Sequence, residues 1–386
     1  MFNNIKNKGK RKISITLLYG EICINRSILQ IKDKINLDDY NLNSKEIIPF
    51  DEFLNISNLP FKISKEMMIE MAFCGQNQSS FNDAKMLLEK YRNVKTNTET
   101  ILQVTEYIGK TVFEQDDKKA QENYKNIANL IENKNKVKKN LYVEVDGSAI
   151  NTRVEDENGS TWKENKLGII FDDDDLYRRK DGSNTINKKE YISYFGNAEE
   201  FNKHLFNCML KHDYQSYENV IFITDGATWI RNMINEFYPD AIQILDLFHL
   251  KENIHEYAKV IFKDNERKIK NFYERTIERI YNQEFDLIFK ELKLYEDIKL
   301  PTGVINLVTY IKNNINKIDY REYEKNNWFV GSGAIESSNK IIVQRRLKQA
   351  GMRWSVKGAQ YLLTLRSKFE SMLWETEVRK RILAIC

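Results

Sequence analysis

Cysteine is scarce in this sequence of 386 residues, and its spacing excludes some classes of site. No two cysteines form a C-x-x-C pair, which argues against a zinc ribbon. Single, widely spaced cysteines are typical of proteins whose thiols stay reduced in the cytosol. The four residues are Cys23, Cys74, Cys208 and Cys386.

Long apolar runs are missing as well. No uninterrupted apolar stretch approaches the ~20 residues that a helix needs to cross a bilayer, so we expect no membrane partner. The N-terminal segment MFNNIKNKGKRK is basic, but the apolar region of a secretion signal does not follow it. Together with the cysteine pattern, these absences predict a cytoplasmic protein.

The net charge of +4 is small, but it is unevenly distributed. Basic residues are in excess in 1–140 and in 326–386, and acidic residues are in excess between them. Residues 326–386 alone carry 11 lysines and arginines against 4 acidic residues. Basic segments suit contact with phosphate backbones, and an acidic centre suits cations. An ordinary solvated surface would produce the same asymmetry.

The first 140 residues divide into a β-rich part and a helical part. Residues 12–30 alternate apolar and polar side chains, which predicts a β-hairpin. Residues 64–114 place apolar side chains at helical spacing after Ser or Thr caps. Short helices joined by tight turns are compatible with a helix-turn-helix, and equally with a plain helical bundle. Residues 115–140 are highly charged and predict a linker helix.

From residue 141 the pattern changes to strands. Three strand patterns come first, and two more alternate with helices: LYVEVDG, KLGIIFD, KEYISYFG, VIFITDG and AIQILDLFH. This order predicts an α/β protein with a mixed sheet that helices flank. Residues 250–325 contain no strand pattern and predict an all-helical insertion. Residues 334–351 predict a last helix, which Gly351 ends.

Three acidic residues stand where a metal site could form. Asp146 and Asp225 each precede a glycine at the end of a predicted strand, and Glu336 opens the last predicted helix. If the two strands are adjacent and parallel, both aspartates lie at one edge of the sheet, where ligand sites form in α/β proteins. The three carboxylates would then bind a pair of divalent cations for phosphoryl transfer. As alternatives, Asp-Gly is a common turn dipeptide and Glu336 could cap its helix.

A basic segment follows Glu336 and predicts contact with DNA. Its cations could hold phosphate over the metals, and the tryptophan beside them could stack on an unpaired base. Core packing is the alternative for that tryptophan. The residues are Lys340, Arg345, Arg346, Lys348, Arg353 and Trp354.

Two further residues precede the helical insertion. Asp246 is well placed to cap the helix that follows it, and we expect this role rather than metal binding. His249 could bind a phosphate or orient a water molecule, or it could be a structural histidine.

At these positions the sequence resembles a known family. The segments VEVDGS, FITDGA, ILDLFHL and GSGAIESSNK, with RRLKQAGMRWS, are similar to the catalytic core of bacterial insertion-sequence DDE transposases of the ISLre type. This branch is often left as an uncharacterised protein family and is distantly related to Mutator-like transposases. The upstream segments YGEICINRS, IPFDEFLNI and MAFCGQNQSSFNDA also resemble it. Many relatives carry cysteine pairs where this chain has QIKDKIN, so a zinc-stabilised N-terminal module is not expected here.

The resemblance implies an RNase H-like fold that a helical insertion interrupts before the last acidic residue. It implies that Asp146, Asp225 and Glu336 bind two Mg²⁺ (or Mn²⁺) ions. It also implies DNA as the partner, a homodimer or higher oligomer on DNA, and association with the bacterial nucleoid. Five parts are expected: a β-rich module (1–62), a helical DNA-binding region with its linker (63–140), the first core part (141–256), the insertion (257–325) and the last core part (326–386).

The sequence therefore predicts a Mg²⁺-dependent transposase that cuts the ends of an insertion sequence and transfers the strands to target DNA. Two alternatives remain open at this point. One is an RNase H-like nuclease that cuts without joining. The other is a catalytically inactive DNA-binding protein derived from a transposase.

Overall fold

The computed structural model describes residues 5–31, 46–53, 59–130, 135–179, 184–331 and 333–385. The chain divides into two compact units. The N-terminal unit comprises residues up to Gln115 together with those from Thr364 onward, and the core unit comprises Asp116–Leu363. Most of the segment QIKDKIN lies outside the described residues. Ser332 of the GSGAIES motif and Cys386 also lie outside them.

The N-terminal unit begins with the predicted hairpin. Strands β1 (Ile5–Leu17) and β2 (Gly20–Ile31) pair antiparallel, and Leu17 faces Gly20 across a two-residue turn. Gly20 has a φ of 128°, a conformation that glycine adopts without steric cost. The short strand β3 (Glu46–Ile47) pairs with β2 and is followed by helix α1 (Pro49–Phe53).

Helices fill the rest of this unit, and serine caps begin two of them. Ser64 accepts a hydrogen bond from the Met67 amide, and Ser80 accepts one from the Asp83 amide, as N-cap residues do. The helices are α2 (Lys65–Asn77), α3 (Phe81–Arg92) and α4 (Thr98–Lys125), of which the last continues into the core unit, where the short α5 (Ile127–Leu130) follows it. A helix-turn-helix among them stays a prediction.

The end of the chain belongs to the N-terminal unit, which differs from the predicted grouping of 326–386 with the core. Trp374, Val378 and Ile382 recur at helical spacing and are buried in the same apolar cluster as Met67 and Met71. Burying this apolar stripe stabilises its placement beside α2. The helical segments are α15 (Val356–Glu370), a π-helical stretch (Trp374–Arg379) and α16 (Lys380–Leu383).

The core unit contains the predicted five-stranded mixed sheet, whose strand order is β10-β9-β4-β5-β8. The strands are β4 (Lys138–Asn151), β5 (Trp162–Asp172), β8 (Glu190–Tyr194), β9 (Tyr217–Thr224) and β10 (Ile242–Leu245). Strands β4, β5 and β8 pair antiparallel, whereas β9 lies parallel to both β4 and β10. A small hairpin, β6 (Leu176–Arg178) and β7 (Asn184–Ile186), lies between β5 and β8 in sequence.

Side chains of β4 alternate between two environments. Leu141, Val143 and Val145 are buried in an apolar cluster with residues of two helices, α6 (Ala198–Lys211) and α7 (Thr228–Phe237). The residues between them have the opposite orientation, because successive side chains of a strand point to opposite faces. Tyr142 accordingly packs on rings of other segments, Phe171 and Phe329. One face of the sheet is thus covered by helices, and the other carries Asp146.

The segment that the sequence predicted as a helical insertion consists of helices. All of residues 247–325 are described, and they contain helices without a strand: α8 (Leu247–Phe262), α9 (Glu266–Tyr281), α10 (Phe285–Leu292), α11 (Leu307–Asn314) and α12 (Tyr320–Lys325).

The helix that carries Glu336 is shorter than predicted. It consists of α13 (Gly333–Ser338), a π-helical stretch (Asn339–Gln344) and α14 (Arg345–Leu347). Gly351, at a φ of 77°, lies beyond its end. The π-helical stretch changes the angular spacing that a regular helix would give to side chains on either side of it.

Candidate active site

The register of two parallel strands brings Asp146 and Asp225 to the same end of the sheet. Glu144 of β4 is paired with Ile223 of β9. Two residues further along each strand, Asp146 lies within β4 and Asp225 directly follows β9. The condition set by the sequence, adjacent and parallel strands, is therefore met. Gly226, at a φ of 88°, turns the chain away after Asp225.

Asp146 is held by one local contact and one remote contact. Its Oδ1 accepts a hydrogen bond from the Gly147 amide at 2.7 Å, and its Oδ2 accepts one from the side-chain amide of Asn339. Burial raises the pKa of the Asp146 carboxyl to about 6, and the charges of Asp225 and Glu336 add to this effect. A carboxylate that lies near other negatively charged carboxylates attracts a cation.

Asp225 is held by backbone geometry and by the insertion. Its Oδ1 accepts a hydrogen bond from the Ala227 amide at 2.8 Å, and its carbonyl oxygen accepts one from the Tyr310 hydroxyl at 2.9 Å. Tyr310 lies on α11, so the helical insertion supports the edge of the sheet that carries Asp225. Sequence reasoning missed Tyr310, because nothing local distinguishes it from other tyrosines.

Glu336 lies close to the pair formed by Asp246 and His249. His249 Nδ1 is 2.5 Å from Asp246 Oδ2 and 4.0 Å from Glu336 Oε1. One donor atom from each of the three residues lies within 4.8 Å of the others. The predicted capping role of Asp246 is confirmed, since its carboxylate accepts hydrogen bonds from the amides of Phe248 and His249.

His249 adds positive charge to this acidic group. Its hydrogen bond to Asp246 raises the pKa of the imidazole to about 9 despite partial burial, and the charges of Asp225 and Glu336 act in the same direction. A protonated imidazole there offsets part of the carboxylate charge. It can also donate a hydrogen bond to an anionic group, which is one of the roles that the sequence left open for it.

Glu144 is a member of the site that sequence reasoning missed. Its side chain is fully buried, and Oε2 accepts a hydrogen bond from the Ile335 amide at 2.8 Å. Burial raises its carboxyl pKa well above the ordinary value. The signal was present, because Glu144 interrupts an otherwise apolar strand two residues before Asp146 and hence on the same face. Glu144 joins β4 to the start of the helix that carries Glu336.

The basic residues after Glu336 fall into two groups. Lys340, Arg345 and Arg353 are exposed and Lys348 is half-buried, so these four remain candidates for contact with DNA. The pKa of Lys348 is lowered by burial, and the charge of Asp146 opposes this shift, so this lysine lies within electrostatic range of Asp146.

The other two predicted DNA contacts, Arg346 and Trp354, are buried. Arg346 is 1% exposed and its guanidinium lies 5.2 Å from the centre of the Trp354 ring. The Trp354 indole donates a hydrogen bond to the Leu347 carbonyl at 3.1 Å, and its backbone bridges to Thr152. The structure thus corrects the predicted roles of these two side chains in favour of core packing. The Arg346 guanidinium thus lies within cation–π distance of the Trp354 ring, at a place that water does not reach.

The chemistry of the donors fits hard divalent cations. Asp146, Asp225 and Glu336 offer carboxylate oxygens, which Mg²⁺ and Mn²⁺ prefer. Burial is the main cause of the raised pKa of Asp146, and the neighbouring carboxylates of Asp225 and Glu336 raise it further, a charge environment that suits a bound cation. None of the helices in the described ranges has the length and apolar character to span a membrane.

Comparisons with known proteins add three findings. The sequence profile described as "Uncharacterised protein family (UPF0236)" matches residues 4–380. No curated protein matches the chain. Among solved structures, the chain is similar to one titled "Drosophila P element transposase strand transfer complex", with 11% sequence identity and a TM-score of 0.27, over 81% of this chain and 82% of that chain. The profile agrees with the resemblance to an uncharacterised family, and the ISLre type stays a prediction.

Proposed function

For this chain, which belongs to the uncharacterised protein family UPF0236, we propose the function of a DDE transposase of the ISLre type. It would cleave DNA at the ends of an insertion sequence and transfer the strands to target DNA. One observation carries the proposal: the strand register brings Asp146 and Asp225 to the same end of the sheet. The hydrogen bond from Asn339 in addition links Asp146 to the helix of Glu336.

The strand order supports an RNase H-like arrangement. Three antiparallel strands, β4, β5 and β8, follow one another in sequence, and the two parallel strands then add on the other side of β4. This is the order that an RNase H-like sheet has. The insertion between β10 and α13 is entirely helical, which agrees with the interruption that the resemblance implies.

Asp146, Asp225 and Glu336 are the residues that would hold the metal ions. Bound Mg²⁺ or Mn²⁺ would activate the attacking water or 3′-hydroxyl and stabilise charge on the attacking and leaving oxygens. Asn339 and the Gly147 amide fix the orientation of the Asp146 carboxylate. Glu144 fixes the start of α13, and a protonated His249 can donate to a phosphate oxygen. The residues of this chain would thus contribute to the reaction mainly by positioning the metal ligands and the DNA.

Exposed cations on the same segment would hold the DNA backbone. Lys340, Arg345 and Arg353 follow Glu336 closely, and no further acidic residue lies between Glu336 and Arg353. Two DNA ends held in one complex would be served by two copies of the active site, which is why we include a homodimer or higher oligomer in the proposal.

The decisive experiment separates DNA binding from cleavage. Asp146→Asn, Asp225→Asn and Glu336→Gln should each abolish Mg²⁺-dependent cleavage of element-end DNA while binding in a gel-shift assay is retained. Asp240→Asn is the matched control, because Asp240 is an exposed aspartate after α7 and outside the site. Strong cleavage by any of the three variants would remove that residue from the proposed triad.

The same carboxylates would also serve a nuclease, so a second assay is required. Supplying pre-cleaved ends with a free 3′-hydroxyl and a supercoiled target should yield joined products. Cleavage without joined products would favour the nuclease. DNA binding with neither reaction, in a protein that binds Mn²⁺ normally, would favour the inactive DNA-binding protein.

A further inference from the structure

A second cluster of metal-ligating side chains lies in the core unit, away from the acidic residues of the candidate active site. It consists of Glu190, Cys208 and His212, whose carboxylate oxygen, sulfur and ring nitrogen all lie within 4.8 Å of one another. The three atoms represent three different donor types. No part of the proposed transposase reaction uses them.

Secondary structure explains why the three residues meet. Cys208 and His212 are four residues apart on α6 and its C-cap, so they lie on one face of the helix, and the His212 amide donates to the Cys208 carbonyl at 3.1 Å. Glu190 is the first residue of β8, the strand against which α6 packs. Its carboxylate is 3.1 Å from His212 Nε2. Two elements thus converge on one point.

Burial and solvent access suit a bound ion. Cys208 is 3% exposed, whereas the side chains of Glu190 and His212 are 16% and 23% exposed. The buried Cys208 sulfur would therefore bind a metal on its inner side, and one coordination position of the metal would stay open to water. Lys211 also lies at this cluster, with its Nζ 3.6 Å from Glu190 Oε1.

We propose that Glu190, Cys208 and His212 bind one zinc ion with tetrahedral geometry, with water as the fourth ligand. Thiolate, imidazole and carboxylate are the donors that zinc takes in proteins, at about 2.0–2.3 Å. Binding would require the Cys208 thiol to lose its proton to solvent and the imidazole to be neutral, so that one proton is released per ion bound. Closing the donors onto the ion requires a small contraction of the cluster.

The position of the cluster indicates a structural role. Glu190 pairs with Ile170, which pairs with Val143, whereas Asp146 lies three residues further along β4. A bound zinc would tie the start of the edge strand β8 to the C-terminal end of α6. We therefore expect zinc to raise the thermal stability of the protein, since a ligand that binds only the folded state stabilises it.

Metal retention by the full-length protein tests this proposal independently of transposition. After loading with ZnCl₂ and dialysis, the wild type and Cys74→Ser should retain bound zinc. Cys208→Ser and His212→Gln should lose it. Cys74 is a matched control because it is also a buried cysteine, but it lies in the N-terminal unit. Replacing zinc by Co²⁺ adds a specific readout, since only a cysteine ligand gives thiolate-to-cobalt charge-transfer absorption.

This absorption separates the cluster from the candidate active site, whose described residues include no cysteine. Charge-transfer absorption in the wild type and in Cys74→Ser, with its loss in Cys208→Ser and in His212→Gln, supports the proposal. Its absence from a folded wild type, or its persistence in Cys208→Ser, overturns it. Because His212 is partly exposed, His212→Gln decides the matter if Cys208→Ser does not fold.

Discussion

Asn339 donates a hydrogen bond from its side chain to the Asp146 carboxylate, although 193 positions separate the two residues. Asn339 lies three residues after Glu336, where α13 gives way to the π-helical stretch. One contact therefore positions two of the three proposed metal ligands relative to each other. The consequences for catalysis, stability and DNA binding can be tested separately.

The Asn339 contact predicts a defect in catalysis with an altered pH profile. A hydrogen bond to a charged group contributes about 1.5–3 kcal/mol, so Asn339→Ala should reduce cleavage by about one to two orders of magnitude. Loss of the donor disfavours the ionised carboxylate, so the acidic limb of the pH-rate profile should move to higher pH. Asn339→Gln, which keeps the amide on a longer side chain, is the comparison. An unchanged profile in Asn339→Ala would show that the contact does not act on Asp146.

Glu144 predicts a stability effect whose sign depends on pH. Its carboxyl pKa in the folded protein is raised above the ordinary value of 4.5, so the folded state binds the proton more tightly than the unfolded state. Stability from this group is present below pH 4.5 and decreases as the pH rises through the pKa of the folded state. Glu144→Gln keeps the acceptor for the Ile335 amide without the charge. At neutral pH this variant should be at least as stable as the wild type.

Glu144→Ala is the control for that comparison. It removes the acceptor and leaves the Ile335 amide without this partner, which should cost about 1–3 kcal/mol. Denaturant unfolding at acidic and neutral pH measures both variants. A Gln variant that is as unstable as the Ala variant would contradict the role of Glu144 as an uncharged acceptor.

The pair of Asp246 and His249 predicts a histidine that stays protonated at neutral pH. The folded pKa of about 9 exceeds the ordinary 6.5. The stability from this pair is therefore fully present below pH 6.5 and decreases as the pH rises through about 9. Asp246→Asn keeps oxygen for the helix cap but removes the charge, so it should lower the His249 pKa. Titration of the imidazole by NMR in chelator-treated buffer measures this shift, and an unshifted value in Asp246→Asn would contradict the assignment.

Two adjacent arginines predict opposite outcomes. Arg345 is exposed, and its replacement by alanine should reduce the salt slope of duplex binding by about 0.9 for each phosphate that the arginine neutralises. Arg346 is buried beside Trp354, and Arg346→Ala should lower the melting temperature without changing that slope. Measuring both quantities on both variants makes each the control of the other. A reduced salt slope with a normal melting temperature in Arg346→Ala would support the DNA contact that the sequence predicted for Arg346.

Trp354→Ala extends the test to the buried ring. Truncation of a buried tryptophan costs about 3–5 kcal/mol, so this variant should unfold at a markedly lower temperature. We expect no selective loss of binding to DNA with an unpaired base. Selective loss at normal stability would indicate stacking instead.

Local patterns in the sequence determined the elements and several of their details. Alternation predicted the β1–β2 hairpin, and short strand patterns rich in apolar residues predicted all five strands of the core sheet. Helical spacing and Ser caps predicted α2 and α3, and Asp246 was correctly placed as a cap. These features depend on neighbours within a few residues, which is why the sequence reveals them.

Tertiary structure alone decided which elements meet. The β4–β9 register brings Asp146 level with Asp225, and the packing of the last helices assigns Trp374 to the N-terminal unit. Periodicity indicates that a face is buried but not what covers it, so the sequence could not show that Arg346 and Trp354 pack against each other. Asn339, Glu144 and Tyr310 act through contacts with residues remote in sequence, and such contacts form only when the chain folds.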